Sequence, residues 1–508
     1  ASNSIDITPK YTGPIWWVAM DGGDDKEGSE TDAFATLKKA LESAASGDTI
    51  SIKKGIYKGN GNRDISFEQI IGNSNFDITI QGETGMPADS IVIDAENNHY
   101  IFRIRGTSGT EGNNIVIRNL TLYQGHTVGV NEDISPIDIE SAESVVFNNV
   151  IFRNNVTYNR DYGSSPIHVT TGNVSFIKCQ FIDNRNYRDD NMVWGGAVRV
   201  SDYNHNGDII FDQCLFRGNQ VQSDAGPNSN NNGSAGGSAI YWGNGKGRIT
   251  NSIFQANLGK AKKDHTPGVI FVERLFEENS SGSNSGSLDI VNNTFYGNTF
   301  EAPQSANEIF WVQAHNGGNL SIFNNIIWGN LSNGSASDVQ IITITGDDAK
   351  VHFGYNNIQN YDKWISDDYI SKLIGDQKLL TYSDEGATRG AIGFGPGFVD
   401  TEKGDFRLSD KSPLIGGGKL SLNGVSAPKN DYRGNSRPSP SGSNPDIGAH
   451  ENSLSISPYP GQVTNLHFTP GNQSIDLHWR ANSEKDIDKY QVYMSTVKDF
   501  IPSALDSI

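Results

Sequence analysis

Seven short apolar segments carry ionisable side chains at alternate positions: YIFRIRG (100–106), PIDIE (136–140), PIHVT (166–170), GAVRVS (196–201), SAIYWG (238–243), VIFVER (269–274) and EIFWVQ (308–313). Alternation with a period of two marks strands with one face buried. Setting Phe102/Ile104, Ile137/Ile139, Ile167/Val169, Val198/Val200 and Ile240/Trp242 inward leaves two outward files. One is Arg103, Asp138, His168, Arg199, Tyr241 and Phe271; the other is Arg105, Glu140, Thr170, Ser201, Gly243 and Glu273. Stacked as neighbouring strands about 4.8 Å apart, such groups perturb one another's proton affinity, as acid–base chemistry requires. The competing structural reading is a set of cross-strand ion pairs, Arg103 to Asp138 first.

Spacing sorts the carboxylates. Asp138 and Glu140 lie two residues apart on one strand, about 6.5–7 Å between Cα atoms, which overlaps the roughly 6.5–9.5 Å separation of an inverting glycosidase pair. Glu273 is about four strands away, so it suits substrate binding instead. His168, one strand from Asp138, is placed to act as a general base or to orient the acid. The candidate catalytic residues are therefore Asp138, Glu140 and His168, with Arg103, Arg105, Arg199, Tyr241, Glu273 and Trp194 as substrate-binding candidates. A lyase needs other tools: a base for the C5 proton of a uronate and a cation for its carboxylate, which His168 or Tyr241 and Arg199 supply. Long loops at 159–165, 185–196 and 223–237 stand beside the column as groove walls, and long loops in compact folds tend to be functional. Tyr158, Tyr162, Tyr187, Trp194, Tyr203 and Trp311 are available to stack on sugar rings or to cover strand edges.

The elements that position this column show themselves as a repeat. Aligned on Ile117, Phe147, Phe176, Phe211, Ile249, Ile290, Ile322 and Phe353, the chain repeats an apolar residue five positions later, from Leu122 and Phe152 to Ile358. Gly125, Asn155, Asn184, Asn219, Asn257, Asn298 and Asn330 follow eight positions after their anchors. Gly and Asn best tolerate a left-handed backbone, so this position predicts one tight corner per rung. Intervals of 29 to 41 residues, with short strands and no helical stretch, imply a solenoid of stacked coils. The fold class is all-β, a right-handed parallel β-helix. Cys179 and Cys214 fall at equivalent positions of consecutive rungs, where either a disulfide or inward stacking of two thiols is open.

Residues 1–57 form the entry. Phe34, Leu37, Ala40, Leu41 and Ala44 fall at helical spacing after an Asp32 N-cap, and Gly47-Asp48 ends that helix before TISI. Such a helix caps the open end of a solenoid, whose end rung otherwise exposes core and strand edge. The run from WWVAMDGGDD through FATLKKAL to GDTISIKKGIY resembles the entry of pectate-lyase-like β-helix proteins, and that resemblance implies secreted polysaccharide-active relatives. The paired-Asp polygalacturonase pattern with GHG and RIK is absent, as is NKS followed by RHG. Coils occupy 58–400, fading after 361. The stretch 401–457 resembles the closing segment of secreted bacterial β-helix proteins, with Asp431, Arg433, Arg437 and Asp446 as structural ties. Residues 458–508 alternate apolar positions and resemble the first half of a fibronectin type III domain, an incomplete β-sandwich module suggesting a larger modular protein.

The 508 residues carry a formal charge of −19, which argues against a nucleic-acid partner, since phosphate binding wants a basic footprint. No apolar run is long enough for a membrane-spanning helix. The opening at Ala1 fits a processed, extracellular form. No cofactor is required; structural calcium stays open at Asp21, Asp24, Asp25 and Glu30, or at Asp189 and Asp190, although neither run has EF-hand spacing. The leading expectation is a secreted, monomeric, endo-acting glycoside hydrolase on an anionic, uronic or sulfated, polysaccharide. A β-eliminating polysaccharide lyase and a non-catalytic surface adhesin or glycan-binding protein are the alternatives.

Overall fold

A computed structural model describes residues 10–71, 76–105, 113–127, 135–140, 144–158, 164–170, 172–201, 207–226, 233–264, 266, 268–273, 275, 286–303, 308–313, 318–336, 339–345, 350–359, 379–382, 395–456, 464–471, 474–480, 490 and 492. The chain winds as a parallel β-solenoid with three sheets. Each full rung runs from a column strand to a bent strand of the long sheet, then to a short strand of a third sheet. The rung that begins at Ile137–Glu140 continues through Ser144–Arg153 and Val156–Tyr158.

The anchor alignment is the register of the long sheet. Phe147 pairs with Ile117 and Phe176, Phe176 with Phe211, and the ladder continues through Ile249, Ile290 and Ile322 to Phe353. Rungs repeat at the strand spacing, so like side chains stack on like. Phe152, Phe181, Phe216, Phe254 and Phe295 lie ring on ring, with centroids 4.9, 4.4, 4.7 and 4.6 Å apart. Each such contact adds about 0.5–1.5 kcal/mol beyond the area it buries. Cys179 and Cys214 are buried free thiols within this stack, donating to Phe147 O at 3.4 Å and Phe176 O at 3.2 Å.

The recurrent asparagines are not the left-handed residues. Positive φ falls one position earlier, at Gln124, Asn154, Asp183, Gly218, Ala256, Gly297 and Gly329, and again at the mid-sheet bend, at Asn119, Asn149, Lys178, Gln213, Asn251, Asn292, Asn324 and Tyr355. Asn155, Asn184, Asn219, Asn257, Asn298 and Asn330 are buried and point inward. Each amide donates to the next along the axis, from Asn155 to Asn184 at 3.0 Å through to Asn298 to Asn330 at 2.8 Å. Each side-chain carbonyl also accepts the backbone N–H of the preceding corner, as Asn219 does from Asn184 N at 3.1 Å. A corner turns backbone groups into the core, and a buried amide with two donors and an acceptor satisfies them. Asn is selected here for hydrogen bonding rather than for its tolerance of positive φ.

The entry helix is shorter than its sequence period suggests, spanning Leu37–Ser43, with Thr36 rather than Asp32 as N-cap. Phe34 instead pairs with Trp17 and Val18 of the first strand, and its ring stacks 5.9 Å from Trp16. The Asp32 carboxylate accepts Glu27 N at 3.1 Å. Leu37, Ala40 and Leu41 close the first coil over Ile50 and Ile52.

Residues 395–456 lie along the flank of the solenoid. Asn292 Nδ2 donates to Asp446 O at 2.9 Å, Asn324 Nδ2 to Lys419 O at 2.8 Å, and Ala449 N to Thr294 Oγ1 at 3.1 Å. Leu408, Leu414, Ile415 and Ile447 pack on Ile326, and Phe406 and Ala449 on Ile253. Beyond it, Thr464–Pro470 and Ile475–Arg480 form an antiparallel hairpin. Most of the fading stretch after residue 361 lies outside the described residues.

Candidate functional site

The outward file assembles in register. Arg103 pairs with Asp138, Asp138 with His168, His168 with Arg199, Arg199 with Tyr241, and Tyr241 with Phe271. Trp311 and Thr343 continue it. In the second file Arg105 stands beside Glu140, and backbone hydrogen bonds carry the order on through Thr170, Ser201, Gly243 and Glu273. The branched or aromatic residues between them bury into the core, which fixes the face of every member.

Asp138 is the hub. Its side chain is only 3% exposed, with Oδ2 3.2 Å from Arg105 Nη2 and Oδ1 3.4 Å from His168 Nδ1. Burial pushes its carboxyl up, but the His168 hydrogen bond, the His168 charge and Arg105 together outweigh burial and hold it below the ordinary aspartate range. Asp138 is therefore a standing carboxylate. Arg105 also reaches Glu140, Nε to Oε2 2.9 Å, so one guanidinium joins both acids of the strand. The diagonal partner Arg105, rather than the in-register Arg103, makes the ion pair. Arg103 Nε is buried without a hydrogen-bond partner among the described residues.

His168 presents Nδ1 to Asp138, and its Nε2 is buried without a hydrogen-bond partner among the described residues. In the neutral imidazole, a proton on Nδ1, which faces the Asp138 carboxylate at 3.4 Å, leaves the Nε2 lone pair as the basic site. One rung on, Arg199 lies over the Tyr241 ring at 4.5 Å and donates from Nε to Ser201 Oγ at 2.9 Å. The Tyr241 hydroxyl donates to Glu273. Trp194 comes from the wall loop, stacking 4.8 Å from Phe271 and 6.1 Å from Tyr241. Asn186 Nδ2 holds that loop by donating to Trp194 O at 2.8 Å. Gly195 makes the turn at φ +78°, and a Cβ there would meet Val198 O at 2.7 Å. The column is thus ionic from Arg103 to Arg199 and aromatic from Tyr241 to Trp311.

One residue escaped the sequence reading. Glu308, which opens EIFWVQ, is 1% exposed. Thr343 Oγ1 donates to its Oε1 at 2.8 Å, while Oε2 has no hydrogen-bond partner among the described residues. Burial pushes its carboxyl up to about 7. A charged residue opening a strand that is apolar from Ile309 to Val312 was the available signal.

Of the walls, residues 159–163 and 227–232, together with Tyr162 and Tyr203, lie outside the described residues. Within 185–196, Asp189 accepts the Tyr158 hydroxyl and Asp190 pairs with Arg188 at 2.9 Å. In the entry, Asp24 accepts Ala35 N and Thr36 N at 3.0 Å each and Thr36 Oγ1 at 2.8 Å. Among the described residues no cluster of three His, Cys, Asp or Glu side chains is arranged to hold a metal ion.

No family model and no curated protein matches the chain. Solved structures do. A pectate lyase, Pel9A, is 18% identical, the match covering 87% of this chain and 98% of that one with a TM-score of 0.35. A rhamnogalacturonan lyase is 15% identical over 77% of this chain and 98% of its own, TM-score 0.33. XylC in complex with xylose is 10% identical over 86% and 98%, TM-score 0.35.

Proposed function

We propose that the chain is an extracellular polysaccharide-cleaving protein whose column sheet takes a uronic-acid glycan and breaks it by β-elimination, with His168 as the base. The observation that carries this reading is the Asp138–His168 contact, made through Nδ1, with Nε2 lacking a hydrogen-bond partner among the described residues. In the step, Nε2 takes the C5 proton, the C–H electron pair becomes the C4–C5 double bond, and the C4–O bond breaks. The departing oxygen receives a proton from the imidazolium or from water. Nε2 is covered in the free chain, so substrate has to displace its cover. No cofactor enters this step.

The hydrolytic reading with Asp138 and Glu140 ranks second. An inverting pair needs one protonated and one ionised carboxyl. Asp138, held low by His168 and Arg105, suits only the ionised role, so hydrolysis needs Glu140 as the acid, and Glu140 is ion-paired to Arg105 at 2.9 Å. The hairpin of Thr464–Pro470 and Ile475–Arg480 suits the start of a fibronectin-like module.

The test is a panel of uronic and sulfated polymers assayed both for new reducing ends and for the ultraviolet absorbance of unsaturated products. β-Elimination predicts both signals on a uronic polymer, with His168→Ala lowering the rate about 10²–10⁴-fold. Reducing ends without absorbance would establish hydrolysis, and binding without products would establish the adhesin reading.

A further inference from the structure

Three arginines are buried among the described residues: Arg188, Arg199 and Arg437, at 6%, 7% and 5% exposure. Arg188 has Asp190 at 2.9 Å and Arg437 has Glu451 at 3.3 Å. Arg199 has no carboxylate within ion-pair distance among the described residues. Its surroundings are a hydroxyl, Ser201 Oγ, and a ring face, Tyr241. The acids of its own sheet are otherwise engaged: Asp138 by Arg105 and His168, Glu140 by Arg105, Glu273 by Tyr241, and Glu308 by Thr343.

Burying a guanidinium without a counter-charge is costly. The column orients this one nonetheless. The Tyr241 ring supports its plane, and Ser201 fixes Nε, leaving the two terminal nitrogens as a fork. A planar fork with two parallel N–H donors matches a carboxylate. Arg199 is in register with His168, about 4.8 Å along the axis, so an anion on this fork stands beside the imidazole. Local cost held for a ligand's benefit is the usual sign of a binding position.

We propose that Arg199 is the receptor for a sugar-acid carboxylate, positioned by Ser201 and Tyr241. The uronate so held is the unit presented to His168. This deepens the β-elimination reading and rests on it only for what happens after binding.

The test is equilibrium binding in a His168→Ala background, so that ligand stays intact. The probes are oligogalacturonate, oligomannuronate, hyaluronan and heparosan oligosaccharides, each with its carboxyl-reduced counterpart, and carrageenan oligosaccharides as a sulfate-only series. At least one acidic series binds about tenfold or more tightly than its reduced counterpart. Arg199→Met erases that preference, Arg199→Lys keeps part of it, and Ser201→Ala weakens it. Without ligand, Arg199→Met melts no lower than the parent, because it removes a buried charge that has no carboxylate partner among the described residues.

The proposal is overturned if reduced and acidic oligosaccharides bind alike, if only the sulfated series binds, or if Arg199→Met retains the preference. It is equally overturned if Arg199→Met melts well below the parent, which would assign the guanidinium to the fold. Carboxylate-dependent binding through Arg199 with no product from the otherwise wild-type chain would sink β-elimination alone and leave this site standing.

Discussion

Asp138 and Glu308 are carboxyls of one sheet with opposite fates, and their neighbours decide which. Asp138 is buried between a guanidinium and an imidazole and stays ionised. Glu308 is buried against Thr343 without a cation among its described contacts, and burial raises it to about 7. Raising a folded-state carboxyl means the folded chain binds the proton more tightly than the unfolded one. That contribution is complete below the ordinary value of 4.5 and is lost as pH climbs through about 7. Glu308→Gln should therefore gain on the wild type as pH rises, by about 1–3 kcal/mol at alkaline pH. Melting curves of both proteins at mildly acid and mildly alkaline pH check this; equal shifts at both would refute it.

At the scale of the rung, two neighbouring positions with similar sequence preferences do different work. Asn154 turns the backbone at φ 54°, a conformation glycine adopts without penalty. Asn219 sits in the inward ladder, accepting from Asn184 N and Nδ2 and donating to Phe181 O and Asn257 Oδ1. Removing it strands several buried groups, each costing about 1–3 kcal/mol. Asn219→Ala should lose on the order of 3–5 kcal/mol, whereas Asn154→Gly should stay within about 0.5 kcal/mol of the parent. Denaturant unfolding of the two variants ranks them, and comparable losses would show that the ladder is not what holds the corner.

Over the whole molecule, the solenoid supplies a column of in-register strands and the segment 395–456 braces its flank. That brace is organised around Arg437. Its terminal nitrogens donate to Asp446 O at 3.0 Å and Gly448 O at 3.1 Å beside the fully covered Glu451 carboxylate. Burial, reinforced by the Glu451 charge, pushes the Asp446 carboxyl up to about 8, and the guanidinium pairs with Glu451. Losing one member of such a buried set costs about 3–5 kcal/mol. Arg437→Met should release the brace, and limited proteolysis should then cut within 395–456 before the coils. Cleavage of the coils first would contradict this.

The sequence by itself determined the winding. Side-chain alternation and the recurring anchors define which residues face inward, and stacked parallel strands allow one register for that pattern. The same logic brought Arg103, Asp138, His168, Arg199 and Tyr241 into one file. Diagonal reach was not legible, because a long side chain is not confined to its own rung: Arg105, not Arg103, claims Asp138. Nor could the repeat distinguish asparagines that bend the backbone from asparagines that plug the core, since both recur with the same period. Tertiary structure alone decided which charges found partners. It left Arg199 without a carboxylate partner among the described residues and Glu308 without a cation among its described contacts, because pairing depends on three-dimensional neighbours that strand spacing does not specify.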